Sequence, residues 1–175
     1  MRQVCEKGTP ATGRRQIPQV DITLRSHDGT RATGTPTSPH DASQSAVLVH
    51  GGGVTRDEGG FYVRLADALA VGGIASLRFD LRGHGTSGGR QEELTPAAAA
   101  NDVRAAIDEV HTPGVPVTVV GTSFSGGVCA LVAAAGTPGL HNLAKRSPGS
   151  RAIEDLIAAQ TLAALSSIQW LVVST

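Results

Sequence analysis

Three short, predominantly apolar runs set the tightest limit on what this chain can fold into: Ala46–Val49, Ile74–Phe79 and Val115–Val120. A strand that faces water on one side alternates apolar with polar residues, whereas a continuously apolar one must be covered on both faces. After each run comes a loop and then a segment with helical spacing. Phe61, Leu65, Leu69 and Val71 recur in this way before Gly72-Gly73. Val103, Ile107 and Val110 do so after Thr95-Pro96, where Thr serves as N-cap and Pro occupies the first helical position. A third helix is expected from about Phe124 to Ala135. Strand and helix alternating three times imply right-handed crossovers and a parallel sheet. Ahead of them, Val20–Leu24 alternates apolar and polar, His27–Thr30 is a turn, and Arg31–Thr35 returns. The expected fold class is α/β: a mostly parallel sheet with helices on both faces and an N-terminal antiparallel hairpin.

A chain of 175 residues is long enough for one domain with a core. Residues 1–17 are polar with interspersed Gly and Pro and read as a disordered leader, leaving 18–175 as a single domain. Aromatic residues are only 3% of the chain, so the core has to be assembled from Ala, Val, Leu and Ile. The 15 basic and 15 acidic residues cancel, which gives no basic face for nucleic acid or an anionic membrane. No apolar stretch approaches the roughly 20 residues that span a bilayer. Arg2, Lys7, Arg14 and Arg15 enclose no apolar run of the kind a secretory signal needs. Cys5 and Cys129 lack any pairing or metal-ligand spacing, so neither disulfide nor metal is expected, and a reducing cytoplasm is the plain reading. Past the third helix, 136–150 reads as loop, Arg151–Leu165 as an amphipathic helix and Ile168–Val173 as one more apolar strand.

The chemistry concentrates in Val117-Thr-Val-Val-Gly121-Thr122-Ser123-Phe124-Ser125-Gly126-Gly127. An apolar strand enters a tight turn of small residues and leaves as a helix. A serine there has its hydroxyl thrown clear of the sheet, and the helix start offers backbone N–H groups to a developing oxyanion. The pattern Gly-x-Ser-x-Gly is met at its leading glycine if centred on Ser123 and at its trailing glycine if centred on Ser125. Ser123 is chosen because a strand of normal length delivers it to the turn. An ordinary strand-to-helix turn with capping serines fits this segment alone about as well. The balance shifts with His50-Gly51-Gly52-Gly53, which directly follows a buried strand, where an oxyanion loop belongs.

A third segment, Leu77-Arg78-Phe79-Asp80-Leu81-Arg82-Gly83-His84-Gly85-Thr86-Ser87, completes a set that resembles the α/β-hydrolase superfamily over roughly residues 45–135. The branch it is most similar to is the serine aminopeptidase-like hydrolases, with their esterase and thioesterase relatives. The resemblance implies hydrolysis of an ester, thioester or amide bond in a small acyl substrate through an acyl-enzyme on Ser123. Gly51, Gly52, Gly53 and Phe124 would supply the oxyanion donors, and His50, Asp80, Arg82 and His84 would brace the site. It implies no cofactor. His84 as the catalytic base is the competing assignment.

The resemblance also leaves a deficit. In these hydrolases the order is Ser, then Asp or Glu, then His. After Ser123 the chain offers only His141, followed by Glu154 and Asp155, in reversed order and in segments that read as surface. The late strands and their acid and histidine are absent from the expected domain, which would leave a sheet edge free for self-association. A non-catalytic remnant that binds a partner is therefore the main alternative. A lesser one is a nucleotide-binding module, since Gly83-x-Gly85-x-x-Gly88 with Asp108 spells a dinucleotide fingerprint. That fingerprint should open a helix at its last glycine, whereas the next helix is expected only near Thr95.

Overall fold

A computed structural model describes residues 19–135 and 170–174. The 1–17 leader, the 136–150 loop, the 151–165 helix, His141, Glu154 and Asp155 lie outside the described residues. Six strands form one sheet: β1 (Ile22–Arg25), β2 (Arg31–Thr37), β3 (Gln44–Val49), β4 (Ile74–Phe79), β5 (Val117–Thr122) and β6 (Trp170–Ser174), in the order β1-β2-β4-β3-β5-β6. Helices α1 (Phe61–Val71), α2 (Pro96–Val110) and α3 (Phe124–Ala134) connect or follow them.

The sheet is mixed, with a parallel centre. β3 pairs parallel with β4 and with β5, while β1, β2 and β6 join antiparallel. β1 and β2 are the expected hairpin, shifted towards the turn. Val20 is left outside and exposed, because the pairing begins at Ile22↔Gly34. The strand expected at Ile168–Val173 is found at Trp170–Ser174 and runs antiparallel beside β5, with Val173 opposite Val119.

The three predominantly apolar central strands are covered on both faces. Ala46, Leu48, Ile74 and Val120 pack against Phe61, Tyr62, Leu65 and Leu69 of α1. On the other face, Val47, Val49, Leu77, Phe79 and Val119 meet Val103, Ala106 and Ile107 of α2 and Val128 and Val132 of α3. With few aromatic rings available, small side chains such as Ala99, Ala106 and Ala133 let the helices lie close over Val and Leu. Thr95 caps α2 as expected, its hydroxyl accepting from the Ala98 N–H at 3.2 Å.

β3 sends its chain to α1 on one face, whereas β5 sends its chain to α3 on the other. The loops after these neighbouring strands therefore separate at their C-terminal ends, and this is where an open α/β sheet leaves a crevice. Here it brings residues 50–53 next to residues 122–124.

The loop after β4 is fixed by a buried ion pair. Arg82 grips Asp102 of α2 with two parallel bonds, Nε to Oδ2 at 3.0 Å and Nη2 to Oδ1 at 2.6 Å, while its own N–H reaches the same carboxylate at 3.1 Å. The pair is almost wholly buried. Nη1 of Arg82 also meets Asp28 at 2.7 Å, and that hydrogen bond holds the Asp28 carboxyl well below the usual carboxylate range. Removing one partner of such a pair strands the other charge in the interior. Asp102→Ala should therefore cost about 3–5 kcal/mol of folding free energy, read as a lower midpoint in urea unfolding.

Candidate active site

Gly121 and Thr122 prolong β5 two residues beyond the expected end, and Ser123 follows at φ 53°, ψ −123°. A side chain in this left-handed region is disfavoured for any residue but glycine, so the turn is held by its surroundings. Gly121 is required beneath it. A Cβ there would lie 2.7 Å from both the Cys129 Sγ and the Ser125 carbonyl oxygen. Ser123 itself is exposed at the end of the sheet, at the start of α3.

Ser125 stands where the Gly-x-Ser-x-Gly pattern has its second glycine, and its side chain is fully buried. Its Oγ accepts the Thr122 N–H at 2.8 Å, and its single proton faces the carbonyls of Val49 (2.7 Å) and Thr122 (2.8 Å). The hydroxyl thus ties the end of β5 to the end of β3. A residue so engaged beneath the turn is not available as a nucleophile. Cys129, below it, has its thiol pushed up to about 12 by burial and stays protonated at neutral pH.

Across from the serine, a Cβ on Gly51 would sit 3.5 Å from the Cβ of Ser123. Of the three loop amides expected to face an oxyanion, two are engaged. Gly51 N–H donates to Glu58 Oε2 at 2.8 Å, and Gly53 N–H points to His84 Nε2 at 3.4 Å. Among the described residues, the amides of Gly52 and Phe124 have no partner. Glu58 carried no local signal in the sequence. It reaches the site from the turn ahead of α1, and its Oε2 also accepts from Thr122 Oγ1 at 2.9 Å.

The two nearby histidines brace backbone. His50 is fully buried; its Nδ1 lies 2.7 Å from the Gly51 carbonyl and its Nε2 accepts the Leu81 N–H at 3.0 Å, which assigns the proton to Nδ1. His84 has Nδ1 against the Arg82 carbonyl at 3.0 Å and Nε2 towards Gly53. Neither ring has a nitrogen left to take a proton from Ser123. Asp80 is fully buried, and its carboxylate collects the Arg56 N–H at 2.8 Å, the Arg56 guanidinium and the Thr86 N–H at 3.1 Å. A side chain at Gly85 would collide with that carboxylate. The glycines at 83 and 85 thus serve this packed loop, and α2 starts only at Pro96. The loop therefore leaves no helix end at Gly88 for a pyrophosphate, which removes the structural basis of the dinucleotide reading.

A cavity of about 480 Å³ lies at the opposite end of the strands, lined by Pro36, Ser45, Ala75, Leu77 and Val110, and takes no part in this arrangement. No group of three or more His, Cys, Asp or Glu residues suited to a metal occurs among the described residues. No helix among them is long and apolar enough to cross a membrane.

Residues 40–173 match the serine aminopeptidase family, S33. No curated protein sequence matches the chain. Among solved structures, the ferulic acid-bound Est1E of Butyrivibrio proteoclasticus is 24% identical with a TM-score of 0.58, the match covering 65% of this chain and 47% of that one. The Pyrococcus furiosus esterase Pf2001 is 19% identical at a TM-score of 0.58, over 66% and 44%. The bottromycin epimerase BotH, in complex with bottromycin A2, is 27% identical at a TM-score of 0.54, over 65% and 43%. The chain spans less than half the length of each of these structures.

Two measurements test this geometry. Ser125→Ala should cost about 1–3 kcal/mol in chemical denaturation, because it leaves the Thr122 N–H buried without its acceptor. Burial lowers the His50 pKa below the ordinary histidine value of 6.5. Between the lowered value and 6.5 the unfolded chain binds a proton that the folded chain refuses. That stability is present in full above 6.5 and is lost as pH falls below it. The thermal midpoint should accordingly drop on acidification through that window, and ¹⁵N spectra should find the His50 ring with its proton on Nδ1 at neutral pH and taking up a second proton only below pH 6.5.

Proposed function

The chain belongs to the serine aminopeptidase (S33) family of α/β-hydrolases, and from that premise we propose that it carries the nucleophile of a serine hydrolase acting on an ester, thioester or amide bond. The observation that supports this most is the backbone of Ser123. A non-glycine residue is held at positive φ at the end of β5, exposed and directly across from the Gly51–Gly53 loop. Strained backbone of this kind collects where a side chain must be presented for reaction. Ser123 Oγ attacks the acyl carbon, and the carbonyl oxygen becomes an oxyanion between the amides of Gly52 and Phe124. The leaving group departs with the proton that Ser123 gave up, and water then releases the acyl group from the serine. Phe124, 38% exposed beside the nucleophile, offers an apolar wall to an acyl chain. The mechanism requires neither metal nor organic cofactor.

A second reading is favoured by one observation. Both histidines near Ser123 have their two ring nitrogens engaged with backbone. Proton transfer from the serine needs a base, so a chain without one would keep the fold and not the catalysis. The fold itself does not decide between them, because one scaffold hosts many chemistries.

Labelling with a serine-reactive fluorophosphonate, mapped by peptide mass, separates the two readings. The hydrolase reading expects label on Ser123 that disappears in Ser123→Ala. A folded sample that takes no label leaves the non-catalytic reading.

A further inference from the structure

Glu58 adopts a conformation that its side chain makes unfavourable. It sits at φ 46° and is followed by Gly59 and Gly60, also at positive φ, so the chain makes three consecutive left-handed steps before α1. Glycine would relieve the first of them. Neither helix start beside it is held by a side-chain cap, since Asp57 makes no such bond at the short 3₁₀ turn and Gly60, which opens α1, has no side chain. The Glu58 carboxylate reaches across the molecule instead. A single oxygen, Oε2, accepts from the Gly51 N–H at 2.8 Å and from the Thr122 hydroxyl at 2.9 Å. Gly51 begins the loop after β3, and Thr122 directly precedes Ser123.

We propose that Glu58 is a positioning residue that locks the glycine loop to the serine turn and so sets which amides face the reacting carbonyl. The loop needs such a lock. Gly52 and Gly53 have no heavy atom within 4 Å of where a Cβ would stand, and the Gly53 amide bond is long at 3.4 Å. By taking the Gly51 N–H, Glu58 withdraws the first loop amide from the oxyanion and leaves Gly52 to pair with Phe124. The Thr122 hydroxyl has poorer alternatives, at 3.5 Å from the Val49 carbonyl. A surface carboxylate with only a solvating role would not bind two buried donors with one oxygen. The proposal rests on Ser123 as nucleophile for its effect on reaction, but not for its effect on the loop.

The test uses Glu58→Ala, Glu58→Gln and Thr122→Val, with two readouts. Glu58→Ala should label with fluorophosphonate about tenfold to a hundredfold more slowly, the loss expected for a bond to a charged acceptor. Glu58→Gln, which keeps an oxygen acceptor and removes the charge, should remain within about threefold of the unaltered chain. Amide exchange at Gly51, followed by NMR, should accelerate at least about tenfold in Glu58→Ala and less in Glu58→Gln. Thr122→Val keeps the shape of the site and should also loosen Gly51, so the test survives if Glu58→Ala does not fold. Unchanged Gly51 exchange in the folded variants overturns the proposal. Unchanged labelling with a loosened Gly51 overturns the positioning role, and so does Glu58→Gln labelling as slowly as Glu58→Ala. If the unaltered chain takes no label, the Ser123 reading fails by itself while Gly51 exchange still decides the role of Glu58.

Discussion

The parallel ladder between β3 and β5 sets Val49 opposite Gly121, and every distance at the serine turn follows from that register. Val49 is the last paired residue of β3, and its carbonyl accepts closely from the Tyr62 hydroxyl at 2.9 Å and the Ser125 hydroxyl at 2.7 Å. Tyr62 comes from α1 on one face of the sheet and Ser125 from α3 on the other. One carbonyl thereby joins both helical layers to the strand end that carries the glycine loop. A slip of the pairing by one residue would turn each apolar side chain of β3 to the other face. Because both faces are packed, the ladder has little freedom to shift, and the exposed serine inherits its position from the buried core.

Charge holds the second side of the crevice. The loop after β4 is irregular, so its backbone groups need partners that a sheet or helix would otherwise supply. Asp80 and Arg82 provide them, Asp80 by drawing in Arg56 and Thr86 and Arg82 by anchoring to Asp102 and Asp28. Desolvation offsets much of the attraction in ion pairs of this kind, so their presence is weak evidence of net stability, whereas loss of one partner is costly. His50 and His84 work to the same end, each with its ring between backbone groups.

Local pattern reveals the sheet more readily than the site. Ile74–Phe79 and Phe61–Val71 could be bounded from the sequence because glycines and apolar periodicity mark both ends. β5 was harder: Val115 and Pro116 are apolar but lie before the ladder, while Gly121 and Thr122 look like turn and still pair with β3 or β6. Ser123 was legible because strand, turn and helix follow one another in the chain. Glu58 was not, since its partners Gly51 and Thr122 become neighbours only when β3 lies beside β5. The same holds for the amides of Gly51 and Gly53, which composition marks as flexible and the fold commits to Glu58 and His84. The antiparallel course of β6 also left no trace, because an apolar strand reads alike in either direction.

The backbone at Ser123 sets the side chain presented there against the stability of the fold. An L-residue in a left-handed conformation costs about 1–2 kcal/mol, and here the cost falls on a residue exposed at the end of the sheet. Glycine would satisfy that conformation without penalty. The chain therefore carries a hydroxyl at the end of its sheet at a cost in folding free energy that glycine in the same place would not bear.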